Sequence, residues 1–184
     1  MNIPQGKEEV IMAGFGGQGV LFLGKVLAEV GMAAGKNVSW LPSYGPEMRG
    51  GTANCSVVIS ETPIASPIVN EPDLLIAMNR PSVTRFLPKV KKGGVMIYNA
   101  SLIPEETFRG DVKAVPVPAS KIAGDLGSER VANVVMAGAF LRACPVMSLE
   151  QALKQIEHLT PAKKKEMLEL NKTAFTKGYE YANA

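Results

Sequence analysis

The chain has 184 residues, of which 46% are hydrophobic and 20% charged, enough apolar material for the core of one domain. Its formal net charge is only +3 and its longest basic run is 163–165, which argues against nucleic-acid binding. No apolar run approaches the roughly 20 residues that cross a bilayer, and the first residues lack the apolar segment of a signal peptide, so we expect a cytoplasmic protein that binds no membrane.

The first predicted elements are a strand, a glycine-rich turn and a helix. Glu8–Ala13 reads as a buried strand and Val20–Ala34 as a helix with Gly35 as its C-cap. The turn between them, 14–19, reads GFGGQG and fits the Gly-x-Gly-x-x-Gly pattern. Such a turn lets the backbone approach a phosphate at the helix N-terminus. It therefore predicts an anion site, although a tight turn also uses glycine without any ligand.

The residues after this turn limit the class of nucleotide site. A dinucleotide site places an acidic residue roughly 20 positions further on, but the second predicted strand, Asn37–Leu41, carries no Asp or Glu. This disfavours an NAD-dependent dehydrogenase, and the lack of a following Gly-Lys-Ser/Thr excludes a P-loop. A stand-alone nucleotide-binding module, or a small NAD(P)-linked reductase, remains an alternative that rests on the turn alone.

A second loop follows at 42–51, with the sequence PSYGPEMRGG. Its prolines and glycines predict irregular structure, and it leaves the carboxyl end of a strand, where open α/β sheets bind ligands. Arg49 there suits a carboxylate, a phosphate or a partner chain; in the simpler interpretation, Glu47 and Arg49 are solvated. The candidate residues of this loop are Tyr44, Gly45, Glu47, Arg49, Gly50 and Gly51.

The rest of the sequence alternates strands and helices. Thr52–Ser60 alternates apolar and polar residues, which is typical of a half-buried antiparallel strand. Further strands are predicted at 73–78, 95–98 and 112–117, the last stopped by Pro116 and Pro118. Helices are predicted at 82–87 after Pro81, at 131–143, after an N-cap at Ser148, and from an N-cap at Thr160 to about 177.

This order predicts an α/β fold. We expect an open, mostly parallel, Rossmann-like sheet with helices on both faces, one antiparallel strand and a C-terminal helical pair. Residues 1–147 form the α/β domain, and 148–184 are helices packed on the same domain.

Metal and hydrolytic sites lack the residues they need. Cys55 and Cys144 are far apart in sequence and His158 is the one histidine, whereas structural zinc and iron–sulfur sites use about four organised ligands. We expect both cysteines in the core, a solvated His158, no metal site and no catalytic residue in this chain. No serine has a visible triad partner set.

Three stretches together resemble the gamma subunit of 2-oxoacid:ferredoxin oxidoreductases. They are GFGGQGV at 14–20, SYGPEMRGGTANCSVVIS at 43–60 and PDLLIAMN at 72–79, with RVANVVMAGAF at 130–140 as a weaker match. The resemblance covers most of the chain. The PEMRGG form and the small size are most similar to the 2-oxoglutarate type.

The resemblance implies a function within a hetero-oligomer of anaerobic metabolism. Such enzymes convert a 2-oxoacid and coenzyme A (CoA) to an acyl-CoA and carbon dioxide, with ferredoxin as electron acceptor. Thiamine diphosphate and Mg²⁺ lie between the alpha and beta subunits, and iron–sulfur clusters lie in beta, in a delta subunit, or in both. The gamma subunit carries neither, packs on the alpha–beta core and is inactive alone.

The resemblance also implies roles for the two loops. The first loop, Gly14, Gly16, Gly17, Gln18 and Gly19, would contact a phosphate or adenine nucleotide, with CoA as the candidate. The second loop, Tyr44, Gly45, Glu47, Arg49, Gly50 and Gly51, would lie at the subunit interface near the thiamine site. A chain that needs partners should also expose an apolar patch, near the second loop or on helix 131–143.

Overall fold

A computed structural model describes residues 6–44, 52–104, 108–160 and 165–182. Within them the strands form one six-stranded sheet with the order β2-β3-β1-β4-β5-β6. The strands are β1 (Lys7–Phe15), β2 (Asn37–Tyr44), β3 (Thr52–Ser60), β4 (Leu74–Ala77), β5 (Val95–Asn99) and β6 (Lys113–Val117).

Six α-helices surround the sheet in the same described ranges. They are α1 (Val20–Ala33), α2 (Arg80–Phe86), α3 (Ala119–Asp125), α4 (Ala132–Ala143), α5 (Leu149–Leu159) and α6 (Lys165–Tyr181). Short 3₁₀ turns follow α2 at Leu87–Lys89 and precede α4 at Glu129–Val131.

The sheet is mostly parallel, as predicted. β3 pairs antiparallel with both β1 and β2, whereas β1, β4, β5 and β6 pair in parallel. The alternation of Thr52–Ser60 marked this strand correctly, and its bounds are those predicted. The open α/β fold with one antiparallel strand is therefore confirmed.

Two prolines that we expected to end strands lie inside them. Pro42 is paired with Cys55 within β2, which continues to Tyr44, and Pro116 is paired with Tyr98 within β6. Both strands lie at the edges of the sheet. An edge strand tolerates proline because its missing N–H can face away from the ladder.

The structure adds one helix to those predicted and gives Thr160 a role that was not predicted. Helix α3 was not predicted, because its seven residues are too few for a helical period to stand out. Thr160 is the C-cap of α5, and its hydroxyl donates to the carbonyl of Ile156 at 2.8 Å. Its predicted role as N-cap of the next helix involves 161–164, which lie outside the described residues. Ser148 does cap α5, and forms a capping box with Gln151.

The sheet buries a large core on one face and a smaller one on the other. The face formed by Val10, Met12 and Ile76 packs against α1 and α4. The opposite face, with Ile11 and Leu75, packs against the shorter helix α2. The helices on both faces bury all of β4 and the middle of β1, residues 10–14, as expected for the centre of such a sheet.

Helices α4 and α6 approach each other through glycines. A Cβ added at Gly138 would overlap the carbonyl oxygen of Phe175, and one added at Gly178 would overlap that of Val135. This close contact buries nearly all of α4. The C-terminal helix is thus bound directly to the central helix of the domain.

The amino end of the parallel strands carries a cluster of charges. Lys91 Nζ lies 2.9 Å from Glu9 Oε2 and 2.8 Å from Asp73 Oδ1. Glu8 is turned to the other face of β1, and its Oε2 is buried with no hydrogen-bond partner among the described residues. Burial, reinforced by the nearby Asp73 carboxylate, raises the pKa of Glu8 from 4.5 to about 7.

Candidate functional site

A cleft of about 350 Å³ opens at the carboxyl end of the parallel strands. It lies where the chain leaves β1 toward one edge of the sheet and β4 toward the other. Open α/β sheets bind ligands at such a switch point. Its lining comes from segments that follow β1, β4, β5 and β6 and from the start of α4: Gly17, Gln18, Met78, Leu102, Ser120, Glu129, Arg130 and Ala132.

The side chain of Gln18 holds the glycine turn in place from within. Its Oε1 accepts from the backbone N–H of Phe15 at 2.7 Å and from Asn79 Nδ2 at 3.0 Å. Its Nε2 donates to the carbonyl of Met78 at 3.4 Å. Gln18 therefore fastens the turn after β1 to the turn after β4, an internal role that the glycine pattern did not indicate.

The glycines of the turn have different surroundings. A Cβ at Gly14 would lie 2.7 Å from Gln18 Oε1 and 2.9 Å from Met78 Cβ, so this glycine is required for packing. Gly17, with φ of 98°, has no atom within 4 Å of such a Cβ. Gly17 is exposed on the cleft, where its backbone is open to a ligand.

Gly19 joins the turn to α4. It is the N-cap of α1, with φ of 71°, and makes no side-chain cap. Its carbonyl accepts from Asn133 Nδ2 at 3.1 Å, and a Cβ here would overlap that same amide. The starts of α1 and α4 are thereby held together beside the cleft.

Helix α1 presents an uncapped N-terminus near the cleft. It has no side-chain cap and no acidic residue in its first turn. The first N–H groups of a helix have no intrahelical acceptor, and the helix dipole favours negative charge there. The start of α4 differs, because it continues the 3₁₀ turn that begins at Glu129, and the N–H of Val134 donates to Asn133 Oδ1. The local field from α1 therefore favours an anion over a cation.

The second loop ends beside the glycine turn and begins one strand further away. Tyr44 at the end of β2 is paired with Ala53, and Thr52 at the start of β3 is opposite Phe15. Arg85 Nη1 donates to the Thr52 hydroxyl at 3.3 Å. Both loops thus lie at the same end of the sheet, the carboxyl end of the parallel strands. Gly45, Glu47, Arg49, Gly50 and Gly51 lie outside the described residues.

Sequence reasoning missed the far wall of the cleft. Leu102 and Ser120 follow β5 and β6, and Glu129 and Arg130 lie in the 3₁₀ turn before α4. These residues are brought to the glycine turn only by strand order, and no local motif marks them. The weaker family match at 130–140 begins at Arg130, but it was noted for its small residues and not for this arginine.

The strand order argues against a dinucleotide site of the usual kind. In that site, the acidic residue that binds the ribose follows a strand adjacent to β1. Here β3 lies between β1 and β2. Adjacent strands are about 4.8 Å apart, so the end of β2 is roughly 10 Å from β1 in the plane of the sheet. The missing acidic residue and the strand order therefore both argue against a dinucleotide site of the usual kind.

The two cysteines are core residues. Both Cys55 and Cys144 are free and buried. Burial raises the pKa of Cys55 to about 12 and raises that of Cys144 as well, so both are thiols at neutral pH. His158 is exposed on α5, as expected. No group of three His, Cys, Asp or Glu in the described ranges could hold a metal ion.

Of the two places where an apolar patch was expected, the second loop and helix 131–143, only the first exposes large apolar side chains. Trp40 and Leu41, on edge strand β2 before the second loop, are 40% and 39% exposed. Helix α4 is instead covered by α6. None of the described helices is long and apolar enough to span a bilayer.

Comparison with known proteins finds subunits of oxoacid oxidoreductases. The chain is 40% identical, over 94% of its length, to the ketoisovalerate oxidoreductase subunit VorA of Methanothermobacter thermautotrophicus, of which it covers 36%. It superposes with a TM-score of 0.84 on a keto/oxoacid ferredoxin oxidoreductase gamma subunit from Geobacter sulfurreducens, at 30% identity and with 97% of each chain covered.

A longer structure matches as well. A 2-oxoglutarate:ferredoxin oxidoreductase from Magnetococcus marinus, solved with 2-oxoglutarate, coenzyme A and succinyl-CoA bound, has a TM-score of 0.88 at 25% identity, with 98% of this chain and 32% of that one covered. The chain thus spans about a third of the length of the ketoisovalerate relative and of this structure. The model of the pyruvate ferredoxin/flavodoxin oxidoreductase family matches residues 9–181, and the chain belongs to that family.

Proposed function

We propose that this chain is the gamma subunit of a thiamine-diphosphate-dependent 2-oxoacid:ferredoxin oxidoreductase. The complex converts a 2-oxoacid, CoA and oxidised ferredoxin to an acyl-CoA, carbon dioxide and reduced ferredoxin. The observation that carries this proposal is the match to a gamma subunit over 97% of both chains. The chain works in the cytoplasm, and without its partners it has no activity.

The cofactors that perform the chemistry belong to the partner subunits in this proposal. Alpha and beta hold thiamine diphosphate and Mg²⁺, which supply the decarboxylation chemistry, and beta or delta holds the iron–sulfur clusters that pass electrons to ferredoxin. The buried thiols of Cys55 and Cys144 fit this division, because neither is available as a cluster ligand.

Partner subunits are also supported by the surface of β2. This edge strand, NVSWLPSY, carries no charged residue and exposes Trp40 and Leu41. Long uncharged edge strands are usually covered or guarded by charge. We assign Tyr44, with the adjoining Gly45, Glu47, Arg49, Gly50 and Gly51, to the subunit interface near the thiamine site.

The glycine turn is proposed to contact the phosphates of CoA. Gly17 offers open backbone on the cleft, and the uncapped start of α1 provides a field for an anion. The relative from Magnetococcus was solved with CoA bound, which supports this ligand class. Gly14, Gln18 and Gly19 would act indirectly, by fixing the shape of the turn. Gly16 belongs to the same turn, next to Gly17.

Reconstitution tests the proposal directly. The alpha, beta and electron-transfer subunits are purified with and without this chain, and CoA-dependent ferredoxin reduction is measured with pyruvate, 2-oxoglutarate and 2-oxoisovalerate. We expect turnover with one 2-oxoacid only when the chain is present. Full turnover without it would refute the proposal. A chain with Gly138→Leu, which cannot pack α6 on α4, is the inactive control.

A further inference from the structure

We propose that Arg130 is the positioning residue that anchors the phosphates of CoA in the cleft, and that it selects CoA over truncated thiols. The inference rests on the proposed function and adds a residue to it. Arg130 lies in the 3₁₀ turn before α4 and lines the cleft opposite the glycine turn. No loop motif includes it.

The first argument is that Arg130 is available. It is exposed, and it makes no hydrogen bond or ion pair with any described residue. Other arginines of the described chain are engaged: Arg109, for example, lies 2.6 Å from Asp111 and also donates to three backbone carbonyls. Guanidinium groups suit phosphates because they donate two parallel hydrogen bonds.

The second argument is that Arg130 carries the one positive charge among the described residues of the lining. The amide of Gln18 is committed to Phe15, Met78 and Asn79. The Ser120 hydroxyl accepts from Asn99 Nδ2 at 2.8 Å. Glu129 is the other charged side chain of the described lining, and it is negative. Arg130 is therefore the only cation that lines the cleft among the described residues, and the uncapped start of α1 adds to its field.

The third argument is the apolar part of the lining. Leu102, which is 50% exposed, and Met78, which is buried, both line the cleft. An apolar surface next to a cation and open backbone N–H groups suits a ligand with a flat ring and attached phosphates. CoA has such an end, whereas pantetheine carries the same thiol without the nucleotide.

Glu129 provides the internal contrast. It lines the same cleft, and its carboxylate opposes an anion. If phosphates lie near Arg130, removing the negative charge of Glu129 strengthens their binding and removing the positive charge of Arg130 weakens it. A role limited to folding predicts no such opposite pair, because both side chains are exposed.

The experiment uses the reconstituted complex with steady-state kinetics for CoA and for pantetheine. Arg130→Gln should raise the KM for CoA about tenfold, the loss expected for one charge-assisted contact. It should leave the KM for the 2-oxoacid and the kcat/KM for pantetheine unchanged. Glu129→Gln should lower the KM for CoA, and Arg130→Lys should restore part of the loss. Lys121→Gln, on neighbouring α3 but outside the cleft, is the matched control and should behave as wild type.

The outcomes separate this inference from the proposed function. If the wild-type chain restores turnover and Arg130→Gln has the wild-type KM for CoA, the role of Arg130 is refuted while the proposed function stands. An equal loss with pantetheine would also refute it, because that loss would not involve the phosphates. If the wild-type chain fails to restore turnover, the proposed function itself fails. Calorimetric titration of CoA into the complex without 2-oxoacid should show the same tenfold difference.

Discussion

The two ends of the parallel strands are held together by different chemistry. At the amino end, Lys91 bridges Glu9 and Asp73, and Glu8 is a half-buried acid whose Oε2 has no hydrogen-bond partner in the described part of the chain. At the carboxyl end, the neutral amides of Gln18 and Asn133 connect the turns. Neutral amides fix a cleft without a charge that would compete with an anionic ligand. The difference indicates that ion pairs brace the strands at the amino end, whereas neutral amides brace the turns at the carboxyl end.

The largest expected effect is at the carboxyl end, at Gly19. Gly19→Ala forces a side chain into a left-handed conformation and into the amide of Asn133, so it should lower the free energy of unfolding by about 3 kcal/mol. Gly17→Ala is the matched control, since it has positive φ but open space, and should cost about 1 kcal/mol. Urea denaturation measures both. Equal losses would contradict the proposed contact between Gly19 and α4.

The next effect tests the fastening of the two turns. Gln18→Leu leaves the Phe15 N–H and the Met78 carbonyl without their partner and should cost about 2 kcal/mol. Because no ionisable group is involved, this loss should be the same at every pH from 5 to about 8. A loss that varies with pH would show that the carboxyl end is not held by neutral groups alone.

A smaller effect, with a pH dependence, is expected at Glu8. Its pKa is about 7 in the folded protein against 4.5 ordinarily, so between these values the unfolded chain releases a proton that the folded chain retains. Stability is therefore lost as pH rises from about 4.5 to 7. Glu8→Gln removes this loss and should be more stable than wild type above pH 7, by on the order of 1 kcal/mol after solvent screening.

The comparison of urea midpoints at pH 4 and pH 8 measures this effect. At pH 4 the Glu8→Gln variant and the wild type should agree. The control is Glu61→Gln, which removes an exposed carboxylate whose pKa is lowered by its hydrogen bond from Lys36. Because a lowered pKa stabilises the fold at higher pH, any change in the pH profile should have the opposite sign, a loss at pH 8 and none at pH 4. An advantage of Glu8→Gln that is greatest at acid pH would contradict the assigned direction of the pKa.

The smallest effect is expected from Lys91→Met. It removes the ion pairs to Glu9 and to Asp73, whose carboxylate is buried. The Lys91 side chain is 38% exposed, and Asp73 keeps a hydrogen bond from the Glu9 N–H at 2.9 Å, so the cost should be a few tenths of a kcal/mol to about 1 kcal/mol. The cost should shrink in 1 M NaCl because salt screens the ion pairs. Gln18→Leu should show no such salt dependence. Thermal denaturation at low and high salt distinguishes the two ends.

The elements were largely predictable from sequence, and their arrangement was not. Alternation identified β3 and its antiparallel pairing, and continuous apolar runs identified β4 and β5. The position of β3 between β2 and β1 depends on long-range pairing, which local patterns do not contain. Pro42 misled the prediction of β2 because a sequence does not show which strands lie at an edge.

The candidate site was predicted in part. The glycine turn was identified from its pattern, and only the strand order shows that it lies at a switch point. The inward role of Gln18 depends on Met78 and Asn79, some 60 residues further along the chain. Arg130 and Leu102 reach the cleft only through the fold. The roles of the turn in CoA binding and of the second loop at an interface remain predictions.

The contact between α4 and α6 has a consequence for sequence variation. The clashes at Gly138 and Gly178 are with backbone atoms, so a larger residue in one helix cannot be offset by a smaller residue in the other. A relative that lacks either glycine must hold the two helices further apart. Its α4 would then be displaced, together with Ala132 at the wall of the cleft. Substitutions at these two positions should therefore coincide with a cleft of altered width, even though neither glycine lines it.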